Sequence, residues 1–231
     1  MKTNGRNISL TSYDDILSTE EVRTDVQREQ IQQIPLSELF PFKDHPFKVL
    51  DDDRMMETTE SIKEFGVLVP AIARPLPDGG YELIAGHRRK RACELAGLES
   101  MPVIVRNMDD DAAIIVMVDS NLQRENILPS ERAKAYQMKM EALKHQGERH
   151  DLTSCQVGTK LRTDEIVAES VGDSARNVQR FVRLTSLAPQ LLDMVDDKQL
   201  AFNPAVELSY LKEDEQKQLA SALEVTQSTP S

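Results

Sequence analysis

The apolar segment Tyr81-Glu82-Leu83-Ile84-Ala85 runs straight into Gly86 and then into His87-Arg88-Arg89-Lys90-Arg91-Ala92. A strand handed to a helix across one glycine leaves no room for a loop, so this stretch commits the chain to an α/β unit. Glycine at the joint also lets the backbone come close to a bound group. The helix behind it opens with free N–H groups and the positive end of its dipole, and four basic side chains fill positions 87 to 91. That is an anion-binding arrangement, suited to phosphate, and it uses no Walker lysine.

The α/β pattern extends to both sides. Gln33-Ile34-Pro35-Leu36 reads as a strand end, and Asp53 to Phe65 as a helix with Met55, Thr59, Ile62 and Phe65 near one face and Gly66 as its stop. Ala71-Ile72-Ala73-Arg74 and Tyr81 to Ala85 read as paired strands joined by the turn Pro77-Asp78-Gly79-Gly80. Helix Arg88 to Ala96, the stop Gly97 and strand Met101 to Val105 follow. Ala112 to Val118 has the β-branched content of a strand, but Asp109, Asp110 and Asp111 before it suit a helix N-terminus, and helix is preferred. Pro129 and Ser130 open a long amphipathic helix, with Tyr136, Met140 and Leu143 on one face, that ends at Gly147. Residues 148–162 form a polar loop and a candidate hinge, and everything beyond reads as helix. Residues 1–30 are polar and read as a flexible tail or partner-binding segment, with a weak amphipathic stretch at Tyr13, Ile16 and Leu17. The expected class is α+β: the tail, an α/β domain over 31–127, and an all-α domain over 128–231.

A net charge of −11 over 231 residues argues against a non-specific nucleic-acid binder, but the charge is uneven. Residues 185–231 carry three Lys/Arg against eight Asp/Glu, whereas Ser174 to Leu184 holds three arginines and no acid. The two cysteines, Cys93 and Cys155, share no C-x-x-C spacing, which disfavours a disulfide framework or a zinc site and suits a reducing cytoplasm. Cys93 is expected inside as a small apolar residue. No apolar run approaches the ~20 residues of a membrane span, and the N-terminus lacks a secretory h-region. A cytoplasmic location is expected. His45, His145 and His150 share no ligand spacing and are expected at the surface. Gly158-Thr159-Lys160 lacks the upstream glycine and strand of a phosphate loop.

Asp164 to Leu184 has the spacing of a helix-turn-helix. Small Ala168 lets two helices cross closely, Gly172 turns the chain, and Val178 and Phe181 pack the second helix onto the first. Ser174 suits the N-cap of that second helix. Its polar face offers Arg176, Asn177, Gln179, Arg180 and Arg183 to phosphates or base edges in a major groove. Arg176, Asn177 and Arg180 are assigned to bases, with Lys160 and Arg162 near the backbone. A plain helical hairpin with a solvated arginine face is the competing reading.

Asp119-Ser120-Asn121-Leu122-Gln123-Arg124-Glu125-Asn126 places an amide, a guanidinium and a carboxylate within five residues, a set able to hold a metal ion and a phosphate together. At this point the chain resembles the ParB family of plasmid and chromosome partition proteins. G-H-R-R-K-R-A matches that family's G-E-R-R-x-R-A box, S-N-L-Q-R-E-N matches its E-N-x-Q-R-E-N/D box, and the helix-turn-helix lies where the family puts it. The resemblance covers roughly residues 31 to 210, and three ordered motifs make chance similarity a poor explanation.

The resemblance implies a ParB/sulfiredoxin-like α/β domain that binds CTP and Mg²⁺, followed by an all-α helix-turn-helix domain. It also implies a homodimer loaded onto a palindromic centromere-like site in double-stranded DNA, closed by CTP into a sliding clamp and served by a ParA-type ATPase. Carried over by position, Gly86, His87, Arg88, Arg89 and Arg91 cradle the triphosphate. Asn121 and Glu125 sit on the metal side, and Arg124 braces phosphates or the closed interface. Ser120 stands where the family has a glutamate that supports hydrolysis, His87 replaces the box's glutamate, and Val69 stands before Pro70 where glutamine is usual. CTP binding is therefore implied ahead of CTP turnover. Lys90 is also placed to pair with Glu94 one turn on, the bland reading of a charged helix start. The box is similar, too, to the sulfiredoxin G-C-H-R motif, but no cysteine stands between Gly86 and His87. Two other classes remain: a transcription or replication regulator with a vestigial nucleotide site, and a nuclease or kinase, which lacks a convincing nucleophile.

Overall fold

Strand β4 (Tyr81–Ala85) is buried on both faces, and that burial fixes where its neighbours pack. Leu83 points into one core with Met55, Ile62, Cys93, Met101 and Val103. Ile84, turned the other way by the strand's period of two, enters a second core with Phe47, Ala113, Met117 and Val118. The computed structural model describes residues 30–124, 126–151 and 162–226.

The other strands are β1 (Ile31–Pro35), β2 (Leu39–Pro41), β3 (Ala71–Pro75) and β5 (Ser100–Val105), in the sheet order β1-β5-β3-β4-β2. The β3 and β4 strands form the expected antiparallel pair, with Ala73 opposite Leu83 and a register shift between Ile72 and Ala73. Parallel pairings of β3 with β5 and β2 with β4 make the sheet mixed. Helices α1 (Asp53–Phe65) and α2 (His87–Ala96) cover one face. Helices α3 (Asp110–Leu122) and α4 (Pro129–Asp151) cover the other.

Capping explains several starts. Asp52 accepts from the Met55 N–H at the head of α1, and Asp109 from the Ala112 N–H at the head of α3. The acids before Ala112 thus favour the helix over the strand reading, as expected. Two expectations are corrected. Phe65 lies 61% exposed at the end of α1, because the helix has already turned its buried stripe of Met55, Thr59 and Ile62 past it. Helix α4 runs through Gly147 to Asp151: a single interior glycine costs about 1 kcal/mol, too little to stop a helix whose following residues continue it. The tail, Cys155 and the segment around Gly158 lie outside the described residues.

Beyond α4 the chain is all helical: α5 (Thr163–Val171), α6 (Ala175–Leu184), α7 (Pro189–Asp196), α8 (Phe202–Leu208) and α9 (Glu213–Thr226). This order, a sheet domain followed by helices, is the α+β class expected. Two neighbouring residues on α4 join the halves. Ala135 buries into the core beneath the sheet, and Tyr136 into a core with Val167, Ala168 and Val178. The wholly buried Lys139 adds a polar tie, its ammonium bonding Asp119 of α3 and, at 2.7 Å, the Ser170 hydroxyl of α5. No helix among the described residues is long and apolar enough to cross a membrane.

Candidate functional site

Gly86 adopts φ 113°, and a side-chain carbon built on it would lie 2.9 Å from the Cβ of Ala71. The glycine therefore serves two ends, the strand-to-helix turn and the packing of β3 against it. Behind it the arginines divide by role. Arg89 donates to the carbonyls of Val69 and, at 2.7 Å, Pro70, so it secures the strand that enters the site. Arg88 meets Asp52 at 3.0 Å. Arg91 grips Asp51 with two bonds of 3.0 and 2.6 Å and touches Glu94 at 3.4 Å. These pairings hold the Asp51 and Asp52 carboxyls below their usual range, with the hydrogen bond from the arginine the largest cause in each. Lys90 pairs with Glu94 at 2.7 Å, as the helical spacing suggests.

The second box closes on the first from the end of α3. Arg124 stands 5.9 Å over the Phe47 ring, and its pKa is lowered chiefly by burial and then by the nearby positive charge of Arg88. Arg88 is paired with Asp52 and Glu131 acts on Arg124, yet two guanidinium groups drawn together are a ready place for a polyanion. Asn121 is buried and donates its amide to the Met117 carbonyl at 2.7 Å and to the Ser120 hydroxyl at 3.3 Å. Its amide oxygen is the atom suited to a hard cation. Glu125 lies outside the described residues. Among those described, no cluster of three or more His, Cys, Asp or Glu side chains could hold a metal. A magnesium ion here would take most of its oxygens from phosphate and water, as Mg²⁺ commonly does.

His45 is corrected from the surface to a half-buried position against the box. Its ring lies 3.9 Å from that of His87, because the 42–47 segment folds back over the start of α2. The Phe42 N–H points to Nε2 of His87 at 3.5 Å. Burial, and then the charges of His45, Arg124 and Lys90, push His87 from 6.5 down to about 3. His145 does lie exposed, with Nδ1 3.2 Å from Asp111, and nothing is described of the His150 side chain. Because His87 binds its proton less readily folded than unfolded, the unfolded chain holds more protons below 6.5. Stability is thus full above that value and falls as pH drops toward about 3, by up to about 1.4 kcal/mol per pH unit. Urea midpoints compared near pH 7 and near pH 5 should fall more for the wild type than for His87→Gln.

The helix-turn-helix forms as its spacing requires. Gly172 takes φ 67° at the end of α5, Ser174 caps α6 by accepting from the Asn177 N–H at 3.2 Å, and Val178 is fully buried. The polar face of α6 is not uniformly free. Arg176 is exposed, with no bond or ion pair to any described residue. Asn177 donates to the Asp173 carboxylate at 3.0 and 2.8 Å. Arg180 bonds the Asn203 side chain and stands 5.0 Å over Phe202, an exposed pairing that duplex contacts could exchange. Gln179 is bound to Asp164, and Arg162 donates to the same carboxylate at 2.9 Å. Arg183 donates to the Ser209 carbonyl at 2.8 Å and stacks 4.3 Å over Tyr210, so it braces α6 against the segment after α8. Lys160 lies outside the described residues.

A family model described as the ParB N-terminal domain matches residues 20–122, and one described as the ParB HTH domain matches residues 125–229. The chain belongs to the ParB family. A probable chromosome-partitioning protein ParB of Pseudomonas putida is 30% identical over 210 residues, covering 91% of this chain and 67% of that protein. A nucleoid occlusion protein of Listeria monocytogenes is 32% identical over 196 residues, covering 85% and 62%. The chain thus spans 62–67% of the length of these curated relatives. The crystal structure of the C-terminally truncated chromosome-partitioning protein ParB from Caulobacter crescentus, complexed to the centromeric parS site, matches with a TM-score of 0.52 and 26% identity over 83% of this chain and 90% of that one.

Within the ParB domain, sequence reasoning found the basic box but missed its carboxylate partners. Asp51 and Asp52 lie 40 and 36 residues before the arginines they hold. The only local signal was three consecutive acids ahead of a helix, which reads equally well as capping.

Proposed function

We propose that this ParB-family chain is a site-specific partition protein that binds a palindromic, centromere-like duplex as a dimer and is gated by CTP. One observation carries the reading. The core beneath the sheet that carries the anion box and the core of the helix-turn-helix share a single helix, with Ala135 of α4 buried in the first and Tyr136 in the second. A ligand that shifts the end of α3 against the box therefore bears on the seat of α6.

In this reading Gly86, the α2 N-terminus, Arg88, Arg91 and Arg124 receive the triphosphate, with Arg89 holding the entrance strand. The Asn121 amide oxygen, with Glu125, would face Mg²⁺, whose chemistry is to neutralise and orient the phosphates. Ser120 supplies no carboxylate to the site, which supports binding with weak turnover. Arg176, Asn177 and Arg180 meet base edges, and two copies are needed because one helix-turn-helix reads too few bases for tight binding. A ParA-type ATPase is the proposed partner, engaged by the N-terminal tail.

Arg88 and Arg91 already hold carboxylates, so an entering triphosphate must displace Asp51 and Asp52. Exposed ion pairs are weak, so Asp51→Asn should tighten nucleotide binding by up to about fivefold. Titration of labelled CTP with Mg²⁺ against the full chain, with ATP as competitor, tests both points. Saturable binding that prefers CTP and tightens in Asp51→Asn is expected; equal affinity for ATP would count against the cytidine assignment.

A further inference from the structure

We infer that His45 is a working part of the anion site: as a triphosphate enters, its Nε2 takes up a proton, so that the His45–His87 pair adds one positive charge to the box. The inference rests on the nucleotide reading above and deepens it. Nδ1 of His45 lies 2.8 Å from the Phe47 carbonyl. A carbonyl can only accept, so Nδ1 carries the hydrogen and Nε2 is left as a bare lone pair. That Nε2 is buried and has no hydrogen-bond partner. An unsatisfied buried acceptor is costly, and the sequence elsewhere avoids such costs with caps and ladders.

The surroundings explain both why the lone pair stays empty and when it would fill. His87 is pressed against it at 3.9 Å, with its own Nε2 directed at the Phe42 N–H. The charges facing the pair from the described residues are Arg124, at the end of α3, and Lys90, on α2. Both are cations, and together with burial they keep two adjacent imidazoles neutral. A triphosphate at the mouth of α2 brings several negative charges into the same space and reverses the sign of that field. An opposite charge nearby favours the protonated ring, so ligand and proton bind with positive coupling, each strengthening the other. The neighbouring carboxylates are already engaged: Asp51 and Asp52 by Arg91 and Arg88, and Glu131 by the Lys48 and Leu128 N–H groups and the charge of Arg124.

Calorimetric titration of the full chain with CTP and Mg²⁺, in two buffers of different ionisation heat near neutral pH, counts the protons exchanged. Wild type is expected to take up a larger fraction of a proton than His45→Gln. Its affinity should also fall more steeply between about pH 6 and about pH 8, approaching tenfold per unit for one linked proton. Comparing the two proteins cancels the titration of the nucleotide itself, and a thermal melt establishes that the variant is folded. Equal proton counts and parallel pH profiles would overturn the inference while leaving CTP binding intact. No CTP binding by wild type at any pH would remove the nucleotide reading, and this inference with it. Should His45→Gln bind too weakly to titrate, the histidine ¹⁵N spectrum of wild type decides: the ligand must move the His45 Nε2 signal toward the imidazolium range, and a stationary signal refutes the inference.

Discussion

Gly86→Ala is expected to lower the stability of the α/β domain by about 3 kcal/mol and to remove nucleotide binding along with it. Two costs add. The backbone at φ 113° is one that alanine adopts only under strain, and the new methyl would sit 2.9 Å from the Cβ and 3.3 Å from the Cα of Ala71. Ala71 is fully buried at the start of β3, so it has no free space to retreat into. Moving it would also shift Pro70, whose carbonyl accepts from Arg89. Gly97→Ala is the matched control. Gly97 also has positive φ, at 75°, but nothing lies within 4 Å of a carbon built there. That variant should cost only the conformational strain, about 1–2 kcal/mol. Urea unfolding of both proteins measures the difference, and equal losses would mean that the contact with Ala71 is not what demands a glycine.

Replacing Arg176 and Arg180 together by alanine is expected to weaken specific DNA binding by about 2–6 kcal/mol, since each bidentate base contact discriminates by about 1–3 kcal/mol. Folding should survive. Arg176 is exposed, and the partner of Arg180 is a surface asparagine. Arg183→Ala should behave in the opposite way. Its guanidinium is spent on the Ser209 carbonyl and the Tyr210 ring, so its loss should loosen the packing of α6 on the segment after α8. The readouts are gel retardation with matched and scrambled duplexes, and the melting temperature. A double variant that keeps its preference for the matched duplex would exclude α6 as the reading helix.

Much of the fold was legible because local rules govern it. Gly86 and Gly172 stand where positive φ is required, and Asp52, Asp109 and Ser174 stand where a cap oxygen is needed. These signals act within four residues and survive in any tertiary setting. The misreadings at the site share one physical cause. His45 is drawn under the box by a segment that packs on α2, and Asp51 and Asp52 find arginines far along the chain. The sequence also cannot separate Arg89, bound to backbone carbonyls, from Arg88 and Arg91, which hold exchangeable carboxylates. Residue type told what the box attracts. Only the packing told which of its charges are available.

The central claim is that a triphosphate at the start of α2 decides how α6 stays on DNA. Retention of the full chain on a duplex carrying the palindromic site and blocked at both ends, measured with CTP, with ATP and without nucleotide, tests it most directly. Accumulation that resists a salt wash only with CTP, and disappears once one end of the duplex is opened, is the expected result. Equal retention under all three conditions would contradict it and leave a DNA-binding protein whose nucleotide-like box has no hold on its helix-turn-helix.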